Sequence, residues 1–307
     1  MPNSLKMTPL DLSIIIVNFN TAGLTFGCIR SIYEKTCGVN FEIILVDNAS
    51  TDLNPDVFKL EFPHLVLIKS PANVGYAKGI NLGMELARGE YVLLLNSDIL
   101  MTENAIGACL DKIKSDGGIG ALSPKLIHKD GRAQSVANRF PSIRNQLLIL
   151  TRSFRLLSAL KKEELFLGQY AGHEKTLEAD WVLGAFFLTK KEVIDKFDDH
   201  KLNDDYFMYF EDVEWCYDIK RLGYKVIYYP AAKAIHYASG STESIPDNDG
   251  HALRKIRSIA KNEATFLKKR KGWLYQKIYS LLWAMIYLTT RDLELVKLNI
   301  LCMFDRL

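Results

Sequence analysis

The stretch "YVLLLNSDIL", residues 91–100, joins an unbroken apolar run to the polar triplet Asn96, Ser97 and Asp98. A continuous apolar run of this length is typical of a strand that is buried on both faces of a sheet. A carboxylate directly after such a strand emerges at the edge of the sheet, where ligands bind in parallel α/β folds. The stretch therefore predicts a buried strand with a polar site at its carboxyl end.

Three further apolar segments precede this strand and alternate with helical patterns. The predicted strands are "LSIIIVNFN", "FEIILVD" and "HLVLIKS", and helices are predicted over residues 22–34, 54–61, 76–87 and 102–114. This alternation predicts an α/β fold with a mostly parallel sheet and helices on both faces. The first strand ends in Asn18 and Asn20 and the second in Asp47, Asn48 and Ser50, so these side chains are expected at the same edge as Asp98. The alternative for Asp98 is a helix cap, but Thr102 suits that role better.

The regular alternation ends after Gly118. "KLIHKDGRAQ" predicts a hairpin that turns at Asp130, and residues 147–160 predict one amphipathic helix. A strand around Gly184, a helix from Glu211 to Gly223 and the strand "KVIYYP" follow. We expect a catalytic domain over residues 1–244, with a nucleotide-binding half at about 10–122 and an acceptor-side half at about 123–244, and a helical tail over 245–307.

Composition excludes several classes of protein. The net charge of +3 over 307 residues gives no reason to expect nucleic acid as a partner. The five cysteines are odd in number and lack a C-x-x-C pair, so neither a disulfide framework nor a zinc ribbon is expected. The first apolar run is short and follows Asp11, which does not resemble a signal peptide. A reducing, cytoplasmic location is the expectation.

Basic residues precede a Trp/Tyr/Leu-rich segment in the tail; they are Arg254, Lys255, Arg257, Lys261, Lys268, Lys269, Arg270 and Lys271. The apolar part is too short to span a bilayer, which takes about 20 residues. Two interpretations stay open. The tail lies peripherally on an anionic inner membrane face, or its helices pack on the catalytic domain or on a second subunit as a homodimer.

Two groups of residues could bind a metal ion or act as a catalytic base. Asp98, with Asn96 nearby and His236 in "AIHYASGS", offers oxygen and nitrogen ligands for Mg²⁺ or Mn²⁺, although a lone histidine is more often structural. Glu211 and Asp212 open a helix, where carboxylates either complement the helix dipole or act as a base. The segment "SPANVGYAKGINLG" allows close backbone approach to a phosphate but matches neither a Walker loop nor G-x-G-x-x-G.

Taken in order, six segments resemble the family 2 glycosyltransferases of the GT-A fold, most of all their bacterial rhamnosyltransferase-type members. The segments are "SIIIVNFN", "EIILVDNASTD", "PANVGYAKGINLGMELARGEYVLLLNSD", "WVLGAFFL", "YFMYFEDVEWCYDIKRLGY" and "AIHYASGS". They lie between Ser13 and Ser241, three quarters of the chain. The resemblance implies an inverting, metal-dependent transfer of a sugar from a nucleotide sugar to a glycan or lipid-linked acceptor in cell-surface polysaccharide synthesis.

The resemblance also assigns roles to residues. Asp212 would be the catalytic base, and Asp98 and His236 would hold Mn²⁺ or Mg²⁺. The implied donor-binding residues are Asn18, Asn20, Asp47, Asn73, Lys78, Asn81, Asn96 and Ser97, and the implied acceptor-side residues are Trp181, Gly184 and Glu211. The subgroup favours dTDP-rhamnose as donor, and UDP-hexoses, including UDP-galactofuranose, stay open.

Two departures from the family pattern stand out. Asn96 takes the first acidic position of the usual D-x-D, and Asp218 lies where an arginine is common, which leaves the roles of Lys220 and Arg221 open. A sugar nucleotidyltransferase is a rival class, but "NFNTAG" lacks the basic residue that such an enzyme carries after its first strand. A non-catalytic sugar-binding protein is a second rival, yet Asp98 and Asp212 are both present.

Overall fold

The computed structural model describes residues 10–238 and 251–306. Its first half alternates between strands and helices: β1 Leu12–Asn18, α1 Ala22–Lys35, β2 Phe41–Asp47, α2 Val57–Glu61, β3 Val66–Lys69, α3 Tyr76–Met84, β4 Tyr91–Asn96, β5 Ile99–Met101 and α4 Ala105–Ser115. β1 lies between β2 and β4 and is parallel to both. All three strands are almost wholly buried, because helices cover both faces of the sheet. The predicted α/β class is confirmed.

Asn104, and not Thr102, is the N-cap of α4. The Asn104 Oδ1 atom accepts a hydrogen bond from the backbone N–H of Gly107 at 3.2 Å. Residues 99–101 form the short strand β5, so Thr102 follows a strand and does not begin the helix. The prediction for Thr102 is wrong. Asp98 consequently lies in the turn between two strands, where it does not cap a helix.

The second half of the described chain contains β6 Ile119–Ile127, β7 Ala137–Asn138, α5 Ile143–Leu150, α6 Ala159–Phe166, β8 Leu177–Ala179, β9 Trp181–Val182, β10 Phe186–Lys190, α7 Lys191–Ile194, α8 Glu211–Arg221 and β11 Lys225–His236. The predicted turn at Asp130 is present, since the backbone N–H of His128 donates to the Arg132 carbonyl at 2.8 Å. The single helix predicted over residues 147–160 is wrong. Arg152 adopts a φ of 57°, which ends the first helix, and a 3-10 turn at Ser153–Leu156 separates α5 from α6.

The central sheet has the strand order β3-β2-β1-β4-β10-β6-β11-β5. β10 is antiparallel to both β4 and β6, so the sheet is mixed rather than wholly parallel. The segment before β10 meets the carboxyl end of β4, where the backbone N–H of Asn96 donates to the Ala185 carbonyl at 2.9 Å. The topology thus places residues 184–185 beside the polar triplet of residues 96–98.

The tail forms three helices, α9 His251–Lys271, α10 Trp273–Thr290 and α11 Leu293–Met303. In α9, Phe266 and Leu267 are fully buried and pack with Tyr206 and Val213 of the preceding chain and with Tyr279 of α10. A helical tail is therefore present and packs on the α/β unit. The expected domain boundary near residue 244 lies outside the described residues.

Ion pairs join the end of α9 to α8. The Arg270 guanidinium donates to Glu214 Oε1 at 2.9 Å and to Asp218 Oδ1 at 2.7 Å, and Glu214 is fully buried. Lys269 pairs with Asp205 at 2.8 Å and Lys268 with Asp305 at 2.7 Å. Three of the basic residues that suggested a membrane surface are therefore engaged by carboxylates of the protein itself. Across residues 10–238 and 251–306, no helix is both long enough and apolar enough to cross a bilayer.

Candidate active site

A cavity of about 490 Å³ opens at the carboxyl ends of β1 and β4. Its volume suits a small-molecule ligand. Nine of the residues predicted for the site line it, namely Asn73, Asn96, Ser97, Asp98, Trp181, Gly184, Glu211, Asp212 and His236. The cavity walls also include aromatic side chains, Phe19, Tyr76, Tyr209 and Phe210. The sheet edge that the sequence predicted as a ligand site is thus the floor of this cavity.

Asp98 and His236 are in contact with each other within the lining of the cavity. The His236 Nε2 atom lies 3.3 Å from Asp98 Oδ1, and both side chains are almost fully buried. Antiparallel pairing of β11 with β5 causes this proximity, because His236 is the register partner of Ile99, the residue next to Asp98. Two segments more than 130 residues apart in sequence therefore bring an imidazole and a carboxylate together.

Gln134 determines which nitrogen of His236 faces Asp98. The Gln134 Nε2 atom donates to the His236 carbonyl at 2.9 Å, which fixes the amide orientation, so Gln134 Oε1 accepts from His236 Nδ1–H at 2.7 Å. With its proton on Nδ1, the imidazole presents the Nε2 lone pair to a carboxylate oxygen. Two acceptors at this distance need a proton or a cation between them. The pair therefore suits a metal ion.

Few side chains at this site could coordinate a metal ion. Among residues 10–238 and 251–306, no cluster of three or more His, Cys, Asp or Glu side chains could enclose a metal ion. A carboxylate and an imidazole fit Mn²⁺, and Mg²⁺ is commonly held by one or two carboxylates with substrate phosphates and waters completing its shell. The residues present therefore fit a divalent ion that is shared with a phosphate-bearing ligand.

Asp212 is a further buried carboxylate in the lining of this cavity. Its Oδ2 atom accepts from the backbone N–H of Gly184 at 2.9 Å, and its Oδ1 atom accepts from the backbone N–H of Val213 at 2.9 Å. Burial raises the pKa of Asp212 to about 6, and these N–H donors oppose the rise. The carboxylate is thus held in one orientation, ionised at neutral pH, and is basic enough to accept a proton.

The pKa of Glu211, the neighbour of Asp212, is raised further than that of Asp212. Burial, and after it the adjacent Asp212 charge, raise the pKa of Glu211 well above its ordinary value, to about 8, which favours the protonated carboxyl. Its Oε2 atom is buried and makes no hydrogen bond within the described chain, although the side chain lines the cavity. Two adjacent carboxyls with separated pKa values can take different roles. Glu211 can donate a hydrogen bond to a ligand, whereas Asp212 accepts one.

Unusual backbone conformations precede these carboxyls. Tyr209 and Phe210 adopt φ values of 70° and 77°, a region that non-glycine residues rarely occupy. Such geometry persists only where surrounding contacts impose it, and it clusters at functional sites. Asn262 of α9 provides one such contact, since its Nδ2 atom donates to the carbonyls of Met208 and Tyr209, each at 2.9 Å. Gly75 provides another, because a Cβ there would lie 2.4 Å from the Phe207 carbonyl oxygen.

Asn18 and Asp47 support the site from beneath the cavity. Asn18 Nδ2 donates to Asp47 Oδ1 and to Ser50 Oγ, both at 2.9 Å, while Asn18 Oδ1 accepts from Thr25 at 2.8 Å. Neither side chain lines the cavity. The structure thus brings them to the predicted edge of the sheet, where they join β1 to the loop after β2.

Three other predicted donor-binding residues also lie outside the cavity lining. Asn20 is exposed and accepts a hydrogen bond from the Thr51 backbone N–H at 2.7 Å. Lys78 is exposed on α3. Asn81 donates to the Leu202 carbonyl at 2.8 Å, which joins α3 to the loop between α7 and α8. The structure does not bring these three residues together with Asp98.

Sequence reasoning assigned no place in the site to three residues that build or support it, Gln134, Tyr76 and Lys255. Gln134 orients His236, and Asn48 Nδ2 donates to Asn73 Oδ1 at 2.9 Å. The Tyr76 hydroxyl donates to the Gly184 carbonyl at 3.4 Å, and Lys255 reaches the cavity from α9. Asn48 directly follows Asp47 and belongs to the polar strand ending that the sequence predicted at this edge. The other three depend on contacts between distant segments.

Comparison with known proteins adds the family. The chain matches the family model "Glycosyl transferase family 2" over residues 13–196, more than half of its 307 residues. It is 28% identical over 252 residues to an N-acetylglucosaminyl-diphospho-decaprenol L-rhamnosyltransferase of Mycobacterium tuberculosis, covering 75% of this chain and 76% of that protein. It is 30% identical over 232 residues to a low-salt glycan biosynthesis hexosyltransferase of Haloferax volcanii, covering 74% and 67% of the two chains.

Solved structures share the fold at lower identity. A mannosyltransferase of Pyrobaculum calidifontis, in complex with GDP-Man and Mn²⁺, aligns with a TM-score of 0.55 at 18% identity, over 98% of this chain and 77% of its own. Staphylococcus aureus TarS, residues 1–349, aligns with a TM-score of 0.55 at 12% identity, over 96% and 92%. The mixed sheet, the cavity at its carboxyl edge and the family match lead to one conclusion: the chain belongs to glycosyl transferase family 2 and is a glycosyltransferase.

Proposed function

We propose that the protein transfers a sugar from a nucleotide sugar to an acceptor hydroxyl with inversion at the anomeric carbon. The observation that carries this proposal is Asp212, a buried carboxylate in the lining of the cavity that also holds Asp98 and His236. A base and a phosphate-binding pair in one cavity suit a single displacement.

The proposed reaction is one balanced step. Asp212 takes the proton of the acceptor hydroxyl, and that oxygen forms a bond to the anomeric carbon. The bond from the anomeric carbon to the phosphate oxygen breaks, and the nucleoside diphosphate leaves with the electron pair. The backbone N–H groups of Gly184 and Val213 hold the Asp212 carboxylate in place throughout.

Asp98 and His236 would hold the divalent ion, Mn²⁺ or Mg²⁺. When bound, such an ion neutralises charge on a diphosphate leaving group. Asn96 lies at the same strand end and contributes its backbone to the contact with Ala185. The unusual Asn at the first acidic position therefore leaves Asp98 as the carboxylate of this triplet.

For the donor we propose a dTDP- or UDP-linked sugar, with dTDP-rhamnose first. The similarity to an L-rhamnosyltransferase supports rhamnose, and UDP-hexoses, including UDP-galactofuranose, are the alternatives. Asn73 and Ser97 lie in the cavity lining and offer hydrogen bonds to this ligand, whereas Asn18 and Asp47 support the loops around it. We propose residues 10–122 as the nucleotide-binding half.

For the acceptor we propose a glycan or a lipid-linked glycan of cell-surface polysaccharide synthesis. Glu211, Trp181 and Gly184 lie around Asp212, in the acceptor-side half that we assign to about residues 123–244. The unpartnered Oε2 atom of Glu211 suits a sugar hydroxyl, and the indole of Trp181 suits an apolar sugar face. The name of the mycobacterial relative, which includes a diphospho-decaprenol, supports a lipid-linked acceptor.

A panel of nucleotide sugars tests the proposal. With Mn²⁺ and a lipid-diphosphate-linked N-acetylglucosamine acceptor, dTDP-rhamnose should give glycosylated lipid and dTDP in equal amounts, as measured by mass spectrometry and nucleotide release. Transfer from UDP-hexoses alone would replace rhamnose and keep the reaction class. No transfer from any donor, together with release of pyrophosphate when dTTP or UTP is supplied with a sugar 1-phosphate, would indicate a nucleotidyltransferase and contradict the proposal.

We further propose that α10 lies on an anionic lipid surface. Leu274, Ile278, Leu281, Met285 and Leu288 recur every three or four residues and are all exposed, while the opposite face of the helix is buried. This spacing forms one apolar stripe. Lys277 extends over the rings of Trp273 and Phe304 beside it, a pairing of cation and aromatic residues that suits a membrane interface.

Co-sedimentation with vesicles tests this membrane contact. The wild type should bind vesicles that contain anionic lipid at low salt, and the double variant L281E/M285E should lose most of that binding. Glutamates at exposed positions leave the buried face of α10 unchanged, and the free energy of unfolding serves as the control. Absence of vesicle binding together with a concentration-dependent dimer in sedimentation velocity would assign the stripe to a second copy of the chain.

A further inference from the structure

The tail helix α9 reaches the cavity along one of its faces. Lys255 and Ile259 line the cavity, Asn262 binds the carbonyls of residues 208 and 209, and Phe266 is buried in the core. These four positions are separated by four, three and four residues, which places them on the same side of the helix. The helix is thus anchored at Phe266 and Asn262, and this anchoring directs Lys255 to the cavity.

Acidic side chains line the cavity, and Lys255 adds a positive charge to this lining. Three carboxyl groups line the cavity, those of Asp98, Glu211 and Asp212. Within the described ranges, Lys255 is the one lysine or arginine of the lining. Lys78, which the family resemblance assigned to donor binding, is exposed and lies outside the lining. Of the residues that the structure describes, the tail therefore supplies the single side-chain cation that the diphosphate of a substrate would meet here.

Lys255 also differs from the basic residues at the other end of α9. Lys268, Lys269 and Arg270 form ion pairs with carboxylates of the protein. No carboxylate of the described residues forms an ion pair with Lys255, and its Nζ atom lies 5.5 Å from the ring centre of Tyr209. An aromatic ring attracts an ammonium without neutralising it. The ammonium is thus held beside the cavity with its charge available to an anion.

We propose that Lys255 binds the diphosphate of a substrate in this cavity, so that α9 is a functional part of the active site. The inference rests on the proposed function, since both substrates of that reaction can carry a diphosphate. A nucleoside diphosphate of the donor and a lipid diphosphate of the acceptor present the same chemistry to an ammonium. Lys255 contributes charge to this binding and exchanges no proton in the reaction.

Lys255→Met tests the proposal, because it keeps the length of the side chain and removes the charge. We expect it to weaken binding of dTDP or UDP, or of the lipid diphosphate acceptor, by about 10- to 100-fold. Binding of thymidine or uridine, which lack phosphate, should stay within about twofold, and Lys255→Arg should recover most of the lost affinity. Lys261→Met is the matched control, because Lys261 is exposed on the same helix and lies outside the cavity lining.

Steady-state kinetics separate the two sources of diphosphate. A raised donor KM with an unchanged acceptor KM assigns Lys255 to the nucleotide. A raised KM for the lipid diphosphate acceptor, with no change for a soluble acceptor that lacks phosphate, assigns it to the acceptor. Either result supports the proposal. Unchanged affinity for both, in a variant that is as stable as wild type, overturns it.

The wild type provides the reference that separates this inference from the proposed function. If the wild type transfers sugar and Lys255→Met is indistinguishable from it, the role of Lys255 is wrong and the proposed function stands. If the wild type transfers no sugar from any donor, the proposed function fails before Lys255 is tested. Titration of inorganic diphosphate into both proteins then still reports whether Lys255 binds this anion.

Discussion

Asp212→Asn is expected to lower the rate of sugar transfer by about 100- to 10,000-fold, the usual contribution of a general base. Asparagine keeps the shape of the side chain and can still accept the N–H of Gly184 or Val213, so the fold and the affinity for nucleotide should stay close to wild type. Transfer is measured as nucleotide release with acceptor present, and nucleotide affinity is measured by calorimetry on the same preparation. Asp199→Asn is the matched control, because Asp199 is an exposed carboxylate in the loop between α7 and α8.

The pH profile should identify the same residue. Asp212 must be ionised to accept a proton, and burial raises its pKa to about 6, so kcat/KM of the wild type should fall as pH decreases through about 6. The residual activity of Asp212→Asn should lack this acidic limb. Wild-type rates in Asp212→Asn would contradict the assignment of Asp212 as the base and point to Glu211, the adjacent carboxyl of the cavity lining.

Asp98→Ala is expected to abolish the metal-dependent part of nucleotide diphosphate binding, because it removes the carboxylate that faces His236 Nε2. The expected loss of activity is about 100-fold or more, and EDTA should abolish sugar transfer by the wild type.

Gln134→Leu should lower the Mn²⁺ affinity by about 10- to 100-fold, since Gln134 holds the tautomer of His236. Calorimetric titration of Mn²⁺ in the presence of dTDP measures both effects.

Asp111→Ala, an exposed carboxylate on α4, is the control for the metal titration and should behave as wild type. If the wild type keeps full activity in EDTA, the metal assignment is wrong. Lys255 would then be the side chain that must balance the diphosphate charge, because Lys78 lies outside the cavity lining.

The central strands could be predicted from sequence because each is fully buried and reads as an unbroken apolar run. The run from Tyr91 to Leu95 is one example, and it also placed Asp98 at the ligand edge of the sheet. The helix cap at Thr102 was wrong because the short strand β5 depends on pairing with β11, a distant segment. Local sequence carries no signal for such a pairing.

The candidate site follows the same division. Asp98 and Asp212 end or begin regular elements and could be predicted from the elements themselves. Gln134, Asn262 and Lys255 act through contacts between segments that are far apart in the chain, so their sequence surroundings are uninformative. Lys78 and Asn81 illustrate the converse, because a glycine-rich segment predicts close approach of the backbone without fixing the direction of the side chains.

The account rests on a single displacement, with Asp212 on one side of the anomeric carbon and the leaving diphosphate on the other. The anomeric configuration of the transferred sugar, determined by NMR on the product made from an anomerically pure nucleotide sugar, tests this most directly. The account predicts a product whose anomeric configuration is opposite to that of the donor. A product with the configuration of the donor would require a different mechanism and would contradict the role assigned to Asp212.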